Sequence, residues 1–505
     1  MSLSQLISRA QEGVHAIEVS VEVLITNGLP SLSIVGLPET AVKESKDRVR
    51  CALINSHFDF PTRRITINLA PADLPKQGGR FDLAIALGIL AASGQVPKAA
   101  LAEYEFVGEL ALGGGLRPVQ AILPMSLACH KSRRKLICPA QNANDAALVS
   151  DATVFAANSL LQVCEHLNGI NNLSCAEPPA WSSTLSTMPD MADIQGQAHA
   201  KRAMEIAAAG GHSLLMLGPP GTGKTMLSSR LPGILPVMSE EEALETAAIS
   251  SIAGHPLKPG NWKLRPFRTP HHTASAAALV GGGSNPRPGE ISLAHNGIMF
   301  LDELPEFNRN VLEVLREPLE SGQIIISRAA KQAQFPAAFQ LIAAMNPCPC
   351  GYLGDEQGNC HCTDDQIQRY RHKISGPLMD RIDLHIEVPR LPVSMLRKSD
   401  ASTNEPSELI RKRVEQARNT QNQRNIRINA RMNNKDVERL CPLSEADHEL
   451  LETAITQLGL SMRAYHKILK LARTIADLDC SNNIQSQHLS EAISYRQLDR
   501  SSIRA

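Results

Sequence analysis

Short strand-like stretches run through the first third of the chain: VSVEVLI (Val19–Ile25), LSIVGL (Leu32–Leu37) and RITINLA (Arg64–Ala70). Their apolar positions fall largely on one face at a period of two. ETAVKESKDRVRCALINS (39–56) and FDLAIALGILAAS (81–93) instead carry helical spacing, so residues 1–175 predict a mixed α/β domain. A Pro-, Ser- and Thr-rich stretch, AEPPAWSSTLSTMPDM, follows and predicts a linker over 176–190. From 191 to 395 the apolar runs SLLMLG, GIMFLDE, FQLIAAMN and RIDLHIEV alternate with helical segments. Continuous rather than alternating apolar strands predict a mostly parallel sheet covered by helices on both faces. RKSDASTNEPSE marks a second polar break, placed at 396–407, and 408–505 shows helical periodicity with almost no strand signal. The fold class is therefore α/β, with a helical C-terminal domain.

Composition narrows the picture little. At 505 residues, 43% hydrophobic and 20% charged, the chain has ordinary globular character, and its length suits about three domains. Fifty-one basic residues balance 51 acidic ones. No global field attracts nucleic acid, so any such contact must come from local patches. The first residues lack the basic, apolar, small-residue order of a signal peptide, and no apolar run is long enough for a membrane span. A soluble, cytoplasmic protein without membrane contact is expected. Seven of the eleven cysteines are scattered, mostly in apolar surroundings, as reduced core thiols are.

The chemistry concentrates between residues 218 and 381. Gly218, Pro219, Pro220, Gly221, Thr222, Gly223, Lys224 and Thr225 match G-x-x-x-x-G-K-[ST], between the strand LLML and the helix MLSSRL. In that context the glycines allow a loop whose amides face phosphate oxygens, Lys224 reaches the outer phosphates of ATP, and Thr225 ligates magnesium. GIMFLDE ends in two carboxylates. Asp302 is placed to hold the magnesium, and Glu303 to polarise the attacking water. Asn346, at the end of the next strand, is a candidate for orienting that water, with a strand-end turn as the alternative. In GPLMDRIDL, Arg381 is a candidate for stabilising charge at the γ-phosphate; a surface ion pair with Asp380 or Asp383 is the alternative. Arg463 in LSMRAYHKILKLART could reach the phosphates too, or be an exposed helical arginine.

Taken in order, the phosphate loop, FLDE, Asn346, DRID and S-x-R resemble an AAA+ ATPase of the magnesium-chelatase-like branch. FRTPHHTASAAALVGGG (Phe267–Gly283) and AAMNPCPCG narrow the resemblance to the ComM/YifB group of bacterial proteins, over essentially the whole chain. The resemblance implies a sensor-1 role for Asn346, an arginine finger acting on the neighbouring subunit for Arg381, and a sensor-2 role for Arg463. It also implies a homo-hexameric ring that couples ATP hydrolysis to movement on DNA, in branch migration during integration of transforming DNA with recombination proteins as partners. Residues 191–395 become the AAA+ core and 408–505 its helical lid. An ATP-driven protein-remodelling or metal-insertion machine without DNA activity is the alternative. PADLPKQGGRFDLAIALGIL and GELALGGGLRPVQAILP resemble the Lon protease domain, a ribosomal-S5-like fold. Lon catalysis needs a Ser–Lys pair; the aligned positions here hold Arg80 and Leu123, so a retained fold without peptidase activity is expected. Lys76 and Arg80, beside Gly78 and Gly79, are candidates for phosphate contact, with a solvated loop as the alternative.

Cys348, Cys350, Cys360 and Cys362 form C-x-C, nine residues, C-x-C. Four thiolates can close a tetrahedral zinc site with no open position, so a structural zinc in an insert at 348–362 is expected. Free thiols, an iron–sulfur cluster, and His361 as a substitute ligand are the alternatives. ESGQIIISRAAKQAQFPA (Glu320–Ala337) has the look of a hairpin. The resemblance makes its Arg328 and Lys331 candidates for lining a pore that takes DNA, with a solvated hairpin tip as the alternative. Aromatic residues amount to 3%, so stacking on bases is scarce and DNA contact should be phosphate-directed, salt-dependent and sequence-nonspecific.

Overall fold

The structure, a computed structural model, describes residues 2–178, 188–255, 260–283, 286–328, 331–354, 360–391, 404–424 and 428–496. The chain divides into two compact units, Met1–Ser182 with Leu244–Trp262, and Ser183–Ala243 with Lys263–Ala505.

In the first unit, Ser2–Glu12 and His15–Thr26 form a long antiparallel hairpin at one side of which lies Arg64–Ala70, also antiparallel, and then Ser31–Val35. On the other side Tyr104–Phe106, Lys135–Pro139 and Val154–Ala157 pair in parallel, completing seven strands. The helix Asp82–Ser93 is buried along every residue but its last, which explains its nearly all-apolar sequence. Each fully buried leucine or isoleucine there contributes about 1.5–3 kcal/mol. One strand, Ser2–Glu12, lacks the alternation that would announce it, because Arg9 is buried and ion-paired to buried Glu105 at 2.6 Å. The helical pattern over 39–56 resolves into two pieces, Thr40–Lys43 and Ser45–Asn55.

The second unit is built on a five-stranded parallel sheet in the order Phe267–Arg268, Ile298–Leu301, Gln340–Met345, Leu214–Leu217, Leu384–Glu387. All four apolar runs read from the sequence are strands here. The two-residue strand Phe267–Arg268 is too short to carry a pattern. One apolar cluster runs from these strands through the helix Ala198–Gly210 into the C-terminal helices Ser407–Gln423, Met462–Leu478 and Ser486–Ser494. The C-terminal region is helical, as its periodicity predicts. Gln323–Arg328 and Lys331–Pro336 form the expected hairpin, with Arg328 paired to Lys331 in register; the side chains of those two residues lie outside the described residues. Among the described residues, no helix is long and apolar enough to cross a membrane.

Candidate active site

Parallel strands send their C-terminal ends to one edge of a sheet, where open α/β sheets form their ligand crevice. Leu217 is level with Met345 and with Glu387, and Leu301 with Ala343. Gly218 and Asn346 therefore emerge side by side, with Asp302 leaving the same edge two residues short of them. Gly218 is dictated by close approach: a Cβ there would lie 2.3 Å from the Val388 carbonyl oxygen. Gly221 and Gly223 take φ of +78° and +87°, which bends the loop back before Lys224 opens a helix.

Lys224 is buried and donates from Nζ to the carbonyls of Gly218 (2.6 Å) and Pro219 (2.8 Å) and to Asn346 Oδ1 (3.2 Å). Burial pushes its ammonium below the ordinary value, against the pull of Asp302 and Glu303. The Thr225 hydroxyl donates to Asp302 Oδ2 at 2.6 Å. Two hard oxygens this close, beside a lysine, suit a magnesium ion carrying phosphate oxygens. Glu303 adopts φ +52°, a left-handed backbone uncommon for glutamate, and its N–H is held by Asp302 Oδ1 at 2.9 Å. Such conformations persist where the surroundings impose them, and they cluster at functional sites. His272 Nδ1 lies 3.5 Å from Glu303 Oε2.

Asn346 leads directly into the cysteine loop. The sulfurs of Cys348, Cys350, Cys360 and Cys362 lie within 4.8 Å of one another. Cys348 is 3.3 Å from Cys350 and 3.7 Å from Cys360, and Cys350 is 3.6 Å from Cys360. These separations exceed a disulfide bond of about 2.05 Å and approach the roughly 3.8 Å edge of a tetrahedron with zinc–sulfur bonds of about 2.3 Å. Backbone N–H groups of Tyr352 and His361 hold the Cys350 thiol down to about 6, whereas, against a backbone N–H each, burial and bonds to the sulfurs of Cys350 and Cys348 push the Cys360 and Cys362 thiols up. The four residues fit a zinc ion. Gly351, at φ +87°, passes so close to the phosphate loop that a Cβ would sit 2.8 Å from Pro220 Cδ.

Arg381 and Arg463 are elsewhere. Both line a cavity of about 650 Å³ that includes no phosphate-loop residue. Arg381 Nη2 and Arg463 Nη2 approach the same oxygen, Glu320 Oε1, at 2.8 and 2.9 Å. The segment carrying Arg381 is fastened by Asp383, which accepts from the Ser213 N–H and pairs with Lys467 at 2.7 Å. Burial alone would raise the Asp383 carboxyl, but Lys467 and His212 hold it well below the usual carboxylate range.

The family pattern described as "Magnesium chelatase, subunit ChlI" matches residues 190–396, "Subunit ChlI of Mg-chelatase" matches 21–142, and "Magnesium chelatase, subunit ChlI C-terminal" matches 404–496. Competence protein ComM of Haemophilus influenzae is 54% identical over 505 residues, 99% of this chain and 98% of that one. The chain belongs to the ComM/YifB family of magnesium-chelatase-like proteins. YifB of Escherichia coli is 50% identical over 501 residues, 99% of this chain and 98% of its own. More distantly, DNA replication licensing factor Mcm6 of Drosophila melanogaster is 25% identical over 236 residues, 43% of this chain and 26% of that one.

Two residues of this ComM/YifB chain had no part in the site as read from sequence. His272 belongs to the PHH triplet just after the strand Phe267–Arg268, the position from which a residue can lean over the end of the adjacent strand. Glu320 precedes the hairpin, and nothing in its local pattern signals a pairing with arginines 61 and 143 residues away (381 − 320 and 463 − 320).

Proposed function

We propose that this protein is an AAA+ ATPase that assembles as a hexamer and works as a DNA motor, a helicase or branch-migration translocase in the integration of transforming DNA. The observation that carries the ATPase reading is the convergence of Lys224, Thr225, Asp302, Glu303 and Asn346 at one sheet edge. ATP with magnesium, when bound, supplies a scissile phosphoanhydride and a cation that neutralises its charge. Thr225 and Asp302, 2.6 Å apart, would hold the magnesium. Lys224 turns from the Gly218 and Pro219 carbonyls to the outer phosphates. Glu303 takes the proton of the attacking water, and Asn346 orients that water.

Arg381 and Arg463, remote from the phosphate loop of their own chain, serve the loop of an adjoining copy. That division of labour supports a ring. The cysteine quartet would hold a structural zinc, and the loop that carries it packs Gly351 against Pro220 of the phosphate loop. In the first unit, Arg80 and the buried Leu123 stand where a serine and a lysine would be needed, which supports a Lon-like fold kept without peptidase activity. The names of ComM, a competence protein, and Mcm6, a DNA replication factor, support DNA as the track. The chelatase family name favours a second reading, a protein-remodelling or metal-insertion machine.

ATP hydrolysis by the purified protein and its Glu303→Gln variant, with single-stranded, duplex and forked DNA, tests both. DNA-stimulated turnover and unwinding of the fork, lost in the variant, support the motor. Turnover indifferent to every DNA, without unwinding, decides for remodelling.

A further inference from the structure

One carboxylate oxygen facing two arginines is an unbalanced arrangement. Glu320 Oε1 takes Arg381 at 2.8 Å and Arg463 at 2.9 Å, so the trio keeps a net positive charge. Arg381 is only partly satisfied: Nη1 donates to the Pro377 carbonyl at 2.7 Å, while its buried Nε has no hydrogen-bond partner. Its side chain is 10% exposed, against 47% for Arg463 and 48% for Glu320. The Glu320 carboxylate stands half in water, and ion pairs to so exposed a carboxylate contribute little. A phosphate dianion, with more charge and more acceptor oxygens, competes well for both guanidinium groups.

Glu320 is also tied to the hairpin. It lies in the helix Arg316–Ser321, three residues before the strand Gln323–Arg328. Gly322 caps that helix at φ +69°, donates to the Pro318 carbonyl at 2.9 Å and accepts from the Ala337 N–H at 2.8 Å, joining helix end to both hairpin strands. The Ser321 hydroxyl adds a bond to the Gln323 carbonyl at 2.9 Å. A force on the Glu320 carboxylate is delivered to the base of the hairpin.

We propose that Glu320 is the exchangeable anion of this pair, a positioning residue that holds Arg381 and Arg463 in the free chain and yields them to the γ-phosphate bound by an adjoining copy. Loss of the two ion pairs then releases the hairpin base, so that the hairpin responds to the nucleotide of the neighbour. This rests on the ring-forming ATPase reading above.

The test uses the full chain, wild type and Glu320→Gln, in steady-state hydrolysis and in limited trypsin digestion with mass-spectrometric counting of cuts after Arg328 and Lys331. Wild type should change its cutting rate at those bonds between no nucleotide and a non-hydrolysable ATP analogue. Glu320→Gln should cut at one rate in both conditions, with a KM for ATP lowered by up to about 30-fold, the most that loss of two weak ion pairs allows. If the glutamine variant melts early, Glu320→Asp, which keeps the charge one methylene short, should show a diminished nucleotide response. A folded Glu320→Gln with wild-type KM and wild-type response overturns the proposal while the ATPase reading stands. Wild-type protein that neither hydrolyses ATP nor responds to the analogue overturns both.

Discussion

Both units carry a glycine-rich loop with a buried lysine that runs into a helix, and only one of them has the surroundings of a phosphate site. In the second unit Lys224 shares its pocket with Asn346, Asp302 and Glu303. In the first, Lys76 is fully buried and donates to the Pro71 carbonyl, with Asp73 as its acidic influence. Arg80 is pushed down to about 10 by burial alone. Lys76 is thus not a solvated loop residue, and unlike Lys224 it has, among the described residues, no acid pair and no strand-end amide beside it. A cation beside glycines becomes a nucleotide site only when acids across the crevice can hold a metal and a polar side chain can place water.

The sharpest way to break this comparison is to remove the acid that distinguishes the loops. Glu303→Gln should lower kcat for ATP by about 10²–10⁴-fold, the usual worth of a general base, while a fluorescent ATP analogue still binds. Lys76→Met should leave turnover unchanged. If Lys76→Met abolished hydrolysis as Glu303→Gln does, the contrast between the two loops would collapse.

Next in size is the brace under the second loop. Removing metal with a chelator, or Cys348→Ser, should release about one zinc per chain and lower the melting temperature by on the order of 5 °C. Metal analysis alongside differential scanning calorimetry reads both; a metal-free protein with an unchanged melt would reduce the quartet to four reduced thiols. Gly351→Ala then separates bracing from metal binding. Its added Cβ meets Pro220 at 2.8 Å from a φ of +87°, so the phosphate loop must shift. About a tenfold rise in KM for ATP, at wild-type zinc content, is expected for a displaced loop.

The comparison also shows what could be read from residues alone. In the second unit the four longer strands, the hairpin and the helical C-terminal region are legible because continuous apolar runs ending in Gly218, Asp302 and Asn346 must lie in a buried parallel sheet. In the first unit the strand Ser2–Glu12 is hidden by Arg9, whose burial depends on Glu105 nearly a hundred residues away. The same limit hides Glu320 and the contact of His272 with Glu303, since pairings across such separations leave no local period. Arg381 and Arg463 stand out as candidates by motif, yet their meeting on one carboxylate is visible only once the chain is folded.

The smallest effect concerns two buried carboxylates with opposite fates. Lys467 and His212 keep Asp383 charged, whereas burial raises Asp82 above the ordinary 3.8 in spite of Arg48 at 2.7 Å and a bond to Ser45. A carboxyl whose folded value is raised contributes stability that is fully present below 3.8 and is lost as pH rises through that raised value. The first unit should therefore lose a small increment of stability on going from about pH 4 upward, and this increment should be absent in Asp82→Asn. The variant costs about 1–3 kcal/mol overall because Arg48 loses the charge of Asp82 from among its partners, but the slope, not the offset, is diagnostic. Urea unfolding of the full chain carrying Trp181→Phe, followed by the emission of Trp262, which lies within that unit, isolates it. Equal slopes in wild type and Asp82→Asn would mean that Arg48 and Ser45 compensate burial fully, and that the two units treat their buried acids alike.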